Sequence, residues 1–273
     1  MAHRLCILTA LLAACARPPA APTPTPAPPA SAPPAFPAGG RLVDLTHPFD
    51  ETTLYWPTSP TGFVLKRLFH GKTPGGFFYA ANEIAAPEHG GTHLDSPIHF
   101  AEGRSTTEKV GLERLIAPAV VVDMRAAAAS SADALLAPRD LEAFEAEHGR
   151  IAPGTIVLVR TGWADRWPDR KRYLGDDTPG NASRLHFPGI SRAAAELLVA
   201  RRIAAVGIDT ASIDHGPSAD FIAHQVLMGA DIPAFENVAS LEGIPPRGAL
   251  VIALPMKISG GSGGPLRIVA WVP

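Results

Sequence analysis

From Arg41 to the C-terminus, short continuous apolar runs alternate with segments whose apolar residues recur every three or four positions. Leu42-Val43-Asp44-Leu45 predicts a first strand, stopped at Thr46-His47-Pro48. Leu115 to Met124, Thr155 to Arg160 and Ala204 to Ile208 are apolar runs of strand length, the pattern of strands buried on both faces. Between them, Pro138 to Glu147 sets Leu141 and Phe144 on one face with Asp140 and Glu142 near its start. Ser191 to Arg201 turns Ala195, Leu198 and Val199 inward behind Ser191 as N-cap, so both segments predict helices. Leu250 to Leu254 and Leu266 to Trp271 close the chain as strands. Strands alternating with helices, then two late strands, predict a single α/β domain with a central mixed, partly barrel-like β-sheet flanked by helices.

Upstream of Arg41 the pattern is different. Arg4 leads into the apolar run Leu5 to Leu12, which is too short to span a bilayer, and Leu12-Ala13-Ala14-Cys15 follows. That tetrapeptide resembles the bacterial lipobox, so residues 1–14 read as a lipoprotein signal peptide and Cys15 as the lipidated first residue of the mature chain. Residues 15–40 are nearly all alanine and proline, a semi-rigid spacer that holds the folded part (41–273) off a membrane. Ala16 stands where aspartate is associated with inner-membrane retention, which favours the outer membrane and a periplasm-facing domain. With Cys6 leaving in the signal and Cys15 carrying lipid, no cysteine remains for a disulfide.

Composition excludes some partners. The 273 residues are 46% hydrophobic and 18% charged with a formal net charge of −2, so there is no basic footprint for nucleic acid. Tyr55-Trp56-Pro57, Phe63 and Phe77-Phe78-Tyr79 make an aromatic-rich section in which Trp56 is a candidate substrate contact.

The stretch from Glu88 to His99 carries the chemistry, with His89, His93, Asp95 and His99 within eleven residues. A helix would point Asp95 away from His89 and His93, and Gly90, Gly91 and Pro97 are poor helix residues. The even offsets suit a strand, but a fully extended run from His89 to Asp95 spans about 20 Å, too far for a shared ion about 2 Å from each ligand atom. The chain must therefore curl, and Gly90-Gly91 permit it. Imidazole nitrogen with carboxylate oxygen suits Zn²⁺, Mn²⁺ or Fe²⁺, and the lack of a nearby thiolate argues against a structural zinc knot. A second polar stretch, Val206 to Gly216, follows the third buried strand, where α/β sheets present site residues. Beyond it, His224 and Glu236 each sit among apolar neighbours, where a hydrogen bond or a metal would satisfy them.

His-x-Gly-Thr-His-x-Asp-x-Pro-x-His, present from His89 to His99, resembles the signature of the cyclase family that includes bacterial kynurenine formamidase and isatin hydrolase. Asp44-Leu45-Thr46-His47-Pro48, Gly207 to Ser212, His224 with Glu236, and Gly263-Gly264-Pro265-Leu266-Arg267 are also similar, so the resemblance spans most of 41–273. It implies that His89, His93 and Asp95 bind a metal, that His224 and Glu236 add ligands for that ion or a second one, and that His99 is the acid/base. It also implies zinc or manganese as the metal, and a homo-oligomer, a dimer. The expected reaction is metal-assisted hydrolysis of a C–N bond in a small aromatic or cyclic amide, formamide or lactam. Two alternatives stand beside it: a non-catalytic lipoprotein that binds metal or a small ligand, and a metal-dependent cyclase or dehydratase. Kynurenine formamidases resemble one another in a Pro-Gly-Asp near the position of Trp56-Pro57-Thr58-Ser59-Pro60, a departure that weighs against N-formylkynurenine. Arg184, His186 and Phe187, in Arg-Leu-His-Phe-Pro-Gly, are further candidate substrate contacts.

Overall fold

The computed structural model describes residues 39–273; the expected signal peptide, Cys15 and most of the 15–40 spacer lie outside the described residues. Strand β1 (Arg41–Asp44) is followed by a long hairpin, β2 (Val64–Lys72) and β3 (Phe78–Ala85), and a three-residue strand, β4 (His93–Asp95). Then come α1 (Leu112–Leu115), β5 (Ile116–Asp123), α2 (Arg125–Ser130), β6 (Leu135–Leu136), α3 (Pro138–His148) and β7 (Ile156–Arg160). These are followed by α4 (Arg170–Leu174), β8 (Gly189–Ile190), α5 (Arg192–Arg201) and β9 (Ala205–Ile208). Helix α6 (Ile222–Gly229) and strands β10 (Ala234–Glu236), β11 (Arg247–Pro255) and β12 (Gly263–Val272) complete the domain.

The strands β12, β11, β5, β7, β9, β10 and β4 pair in that order, and β4 pairs back onto β12, so the mixed sheet closes into a barrel. Strands β5, β7, β9 and β10 run parallel, as crossovers through helices require, while β11, β12 and β4 join antiparallel. Strand β1 occupies the rest of the β12 edge that β4 leaves open. Two apolar layers result. Leu94, Val121, Leu158, Phe235, Val251 and Ile268 fill the barrel, and Val120, Val157 and Val206 face outward beneath Leu141, Phe144, Leu198 and Leu227 of α3, α5 and α6.

The helices start where local chemistry directs. Ser191 caps α5 by accepting from the Ala194 N–H, and α3 opens with Pro138 at its first turn while Asp140 reaches back to the Ala137 N–H. The β2–β3 hairpin has no counterpart in the sequence reading. A register shift between Arg67 and Phe69 breaks the period-two alternation, and no residue of either strand is buried, so the hydrophobic pattern that marks a strand is lacking. Strands β4 and β10 are three residues each, too short to register as periodicity.

Packing inside the barrel is tight enough to exclude a methyl group: a Cβ on Gly207 would stand 2.6 Å from the Leu158 side chain. Leu158→Ala is therefore expected to leave an unfilled cavity and cost about 2–5 kcal/mol, read as a lower urea midpoint at unchanged slope.

Candidate metal centre

Alternation along the two shortest strands of the barrel, β4 and β10, sets the site on the barrel's outside. Leu94 and Phe235 point into the core, so His93, Asp95 and Glu236 point out, and the antiparallel register places Glu236 opposite His93. Just upstream the chain curls as its glycines allow, with Gly91 at φ +59°, and this brings His89 Nδ1 to 2.6 Å from Asp95 Oδ1. On the neighbouring strand Gly263 faces Asp95; a Cβ there would lie 2.6 Å from the His89 ring. Helix α6 contributes His224, whose Nε2 is 3.1 Å from both Asp95 Oδ2 and Glu236 Oε1. Pro97 ends the strand, and the single 3₁₀ turn Pro97–His99 swings His99 back to stack on His89 at 3.8 Å between ring centroids.

Ligand atoms about 2.0–2.2 Å from a common ion lie roughly 3.0–3.4 Å apart. His93 Nε2 is 3.0 Å from Asp95 Oδ1, and His224 Nε2 is 3.1 Å from Asp95 Oδ2 and from Glu236 Oε1, inside that range, while His93 Nε2 stands outside it at 3.7 Å from Glu236 Oε2. Two triads, His89–Asp95–His99 and His93–Asp95–Glu236, could each hold an ion, and both use Asp95. Its Oδ1 faces His89 and His93, while Oδ2 faces His224, so both carboxylate oxygens are turned to imidazoles.

Three of the four imidazoles have their second nitrogen tied. His224 Nδ1 is 2.6 Å from Asp214 Oδ2, and Asp214 is itself held by the N–H groups of Ala223 and His224. His93 Nδ1–H donates to the Gly91 carbonyl at 2.9 Å, a carbonyl that also accepts from the Asn237 side-chain amide at 2.7 Å. His89 Nε2 is 2.9 Å from Ser262 Oγ, which in turn donates to Glu88. Such outer partners fix the tautomer and aim of metal-ligating histidines. Among the described residues no side chain or backbone group hydrogen-bonds to either nitrogen of His99. The His99 ring is oriented only by stacking, which leaves it free to carry a proton.

The charges of the cluster favour a cation. Burial and the neighbouring Asp95 charge both raise the Glu236 pKa. Burial also pushes Asp95 upward, but the His89 and His93 charges outweigh it and hold Asp95 well below the usual carboxylate range. Burial alone would depress His93, yet the Asp95 and Glu236 carboxylates raise it to about 8, and His224 is likewise held well above its ordinary value. Two buried carboxylates thus draw positive charge onto the histidines, and a divalent ion supplies the same charge without the protons. His99 is the exception: burial lowers it to about 4, which makes it a neutral imidazole at pH 7.

The cluster forms the floor of a cavity of about 230 Å³ with mainly apolar walls. Trp56 lies 5.9 Å from Phe221, and Phe221 lies 5.4 Å from Phe100. Trp56 lines the cavity, while the other three substrate candidates stand elsewhere. Phe187 is fully buried behind Trp56; Arg184 is exposed and engaged with Asp176 and Thr178; His186 is engaged with Asp133 on the surface. All three are thus spent on packing or local ion pairs. Sequence reasoning overlooked Asp214, Asn237 and Ser262, of which only Asp214 carried a signal, through its place in the polar stretch after β9. Asp209 in that stretch serves a structural purpose, accepting from the Thr161, Gly162 and Trp163 N–H groups.

Asp214→Asn removes the carboxylate behind His224 without changing its size. It is expected to weaken metal binding about 10–100-fold in competition with a chromogenic chelator, with the thermal midpoint of the metal-free protein little changed.

A model of the family described as putative cyclase matches residues 43–215. The chain is 35% identical over 206 residues to the isatin hydrolase of Roseibium aggregatum, covering 72% of this chain and 77% of that one. It is 30% identical over 183 residues to the kynurenine formamidase of Salinibacter ruber, covering 66% and 74%. A crystal structure of an isatin hydrolase bound to the product analogue thioisatinate superposes with a TM-score of 0.78 at 31% identity, covering 86% of this chain and 93% of that one. Motif, fold and matched length agree, and the chain belongs to the putative cyclase family.

Proposed function

We propose that the protein is a metal-dependent hydrolase that opens the C–N bond of a neutral aromatic amide or lactam. The observation that carries this reading is the pairing of a His/Asp/Glu cluster with an unrestrained neutral His99 at the floor of one aromatic-walled cavity. His89, His93, Asp95, His224 and Glu236 would hold the metal, Zn²⁺ or Mn²⁺. When bound, the metal supplies Lewis acidity, polarising the amide carbonyl and lowering the pKa of water towards about 7.

The remaining work falls to the chain. Trp56, Phe100 and Phe221 sandwich the aromatic part of the substrate, and Leu54 and Leu174 exclude water around it. His99 accepts the first proton lost by the attacking water and returns it to the amide nitrogen as the C–N bond breaks; the water oxygen stays on the acyl carbon, and the new carboxylic acid releases the second proton to solvent. In a lactam the ring opens and both products stay on one molecule. Among the described residues no lysine or arginine lines the cavity. Away from the metal, an amino-acid side chain would meet only apolar walls, which disfavours N-formylkynurenine and favours a neutral ring such as isatin, the compound in the name of one relative. The leader and Cys15 would place this activity outside the cytoplasm on a lipid anchor.

Against a panel of neutral aryl lactams, amides and formamides, wild-type protein is expected to yield products heavier by one water. His99→Ala should keep its metal and lose roughly 10²–10⁴-fold in turnover. Unchanged turnover would remove His99 from the mechanism, and products lighter by one water would favour ring closure.

A further inference from the structure

His99 is placed by its backbone and not by its ring. The ring stacks on His89 and meets Phe100 edge-on at 4.6 Å between centroids, and neither nitrogen is restrained by a hydrogen bond among the described residues. Its reach therefore depends on the turn that carries it. The His99 N–H donates to the Ser96 carbonyl, the Ala101 N–H to the Pro97 carbonyl, and the Ile98 N–H to the Ser105 carbonyl at 3.1 Å, which folds residues 97–105 back on themselves. Ser105 is in turn gripped from far along the chain. Its N–H donates to Asp231 Oδ1 and its Oγ–H to Asp231 Oδ2, both at 3.0 Å. Among the described residues no other hydrogen bond joins 97–105 to a distant part of the chain.

Asp231 stands where another residue type is the default. Helix α6 ends at Gly229; beyond it the Asp231 N–H donates to the Met228 carbonyl and the Ile232 N–H to the Leu227 carbonyl, with Asp231 at φ +60°. This is the bond pattern of a helix end whose left-handed residue is usually glycine, because a side chain is strained there. The helix end alone calls for glycine, and Ser105 accounts for the carboxylate. Asp231 also lies between α6 and β10, the elements that bring His224 and Glu236, so its grip ties the His99 turn to the framework of the metal cluster.

We propose that Asp231 is a positioning residue for His99: by clasping Ser105 it fixes the 97–105 turn against the end of α6 and so sets the distance from the His99 ring to the amide nitrogen. The proposal rests on the reading of His99 as the acid/base. Such a group must stand within hydrogen-bond reach of the atom it protonates, and a displacement of about 1 Å can cost about 10²-fold in rate.

Asp231→Gly opens the clasp while giving the helix end the residue it favours. In the metal-loaded full chain it is expected to lower kcat about 10–100-fold with KM and bound metal unchanged. Asp231→Asn, which keeps an oxygen for the Ser105 N–H and tolerates the left-handed region, should recover most of that loss. In a His99→Ala background Asp231→Gly should add less than about twofold, since the group it positions is gone, whereas a general structural role would multiply the two losses. Histidine-ring proton–carbon spectra of zinc-treated protein give a readout free of turnover. The His99 resonance, identified by its absence from His99→Ala, should move in Asp231→Gly while those of His93 and His224 stay. Ser105→Ala loses only the Oγ contact; it should show the same changes on a smaller scale and serves where Asp231→Gly does not fold. Parent-like turnover, losses that multiply, or an unmoved His99 resonance would overturn the positioning role. A parent without turnover, or His99→Ala with full turnover, counts against the acid/base reading and not against the clasp, which the spectra then decide alone.

Discussion

Asp95 is 1% exposed, ionised, and within 3.1 Å of three imidazoles. A carboxylate so placed costs several kcal/mol unless positive charge meets it, and Glu236 beside it deepens the demand. Much of the surrounding structure is arranged to meet that demand from fixed directions. Three histidines converge from a curled loop, a strand and a helix, and each is locked by a second hydrogen bond to Ser262, Gly91 or Asp214. Protonated histidines can balance the acids; a divalent ion does so while leaving the imidazoles neutral and able to act as ligands.

The barrel makes this possible by closing through its shortest strand. Strand β4 is held on both edges, by β10 and β12, so its outward side chains cannot shift without breaking the ring. Leu94 and Phe235 anchor it from inside, each fully buried in the barrel core. The same alternation that fills the core therefore points His93, Asp95 and Glu236 at α6, and the rigidity of the interior becomes the precision of the site. His99 follows immediately but escapes the strand at Pro97, which accounts for a residue that is close to the cluster and yet not tied into it.

The long apolar strands β5, β7 and β9 and the helices α3 and α5 are legible in the sequence because each is long enough to show a period or a cap. Closure of the barrel is legible only as a partly barrel-like sheet, since full closure depends on two three-residue strands with no periodicity of their own. The histidine motif, with His224 and Glu236, announces the metal cluster because embedded polar residues among apolar ones need a partner. The residues behind them are hidden. Asn237 and Ser262 are single uncharged polar residues whose meaning comes only from where Gly91 and His89 arrive in space. Arg184 and His186 mislead for the converse reason, being a conspicuous polar pair that the fold satisfies locally on the surface. The hairpin is silent because an arm with apolar residues on both faces has no inside and outside to alternate between.

The central claim is that this buried cluster is a metal centre. Elemental analysis of the full chain, purified without chelator and reconstituted with zinc or manganese, beside His93→Ala, tests it most directly. The account predicts one or two equivalents of metal per chain in the parent and a marked loss in His93→Ala. A parent protein that remains metal-free after reconstitution, or a variant that retains the full complement, would contradict it.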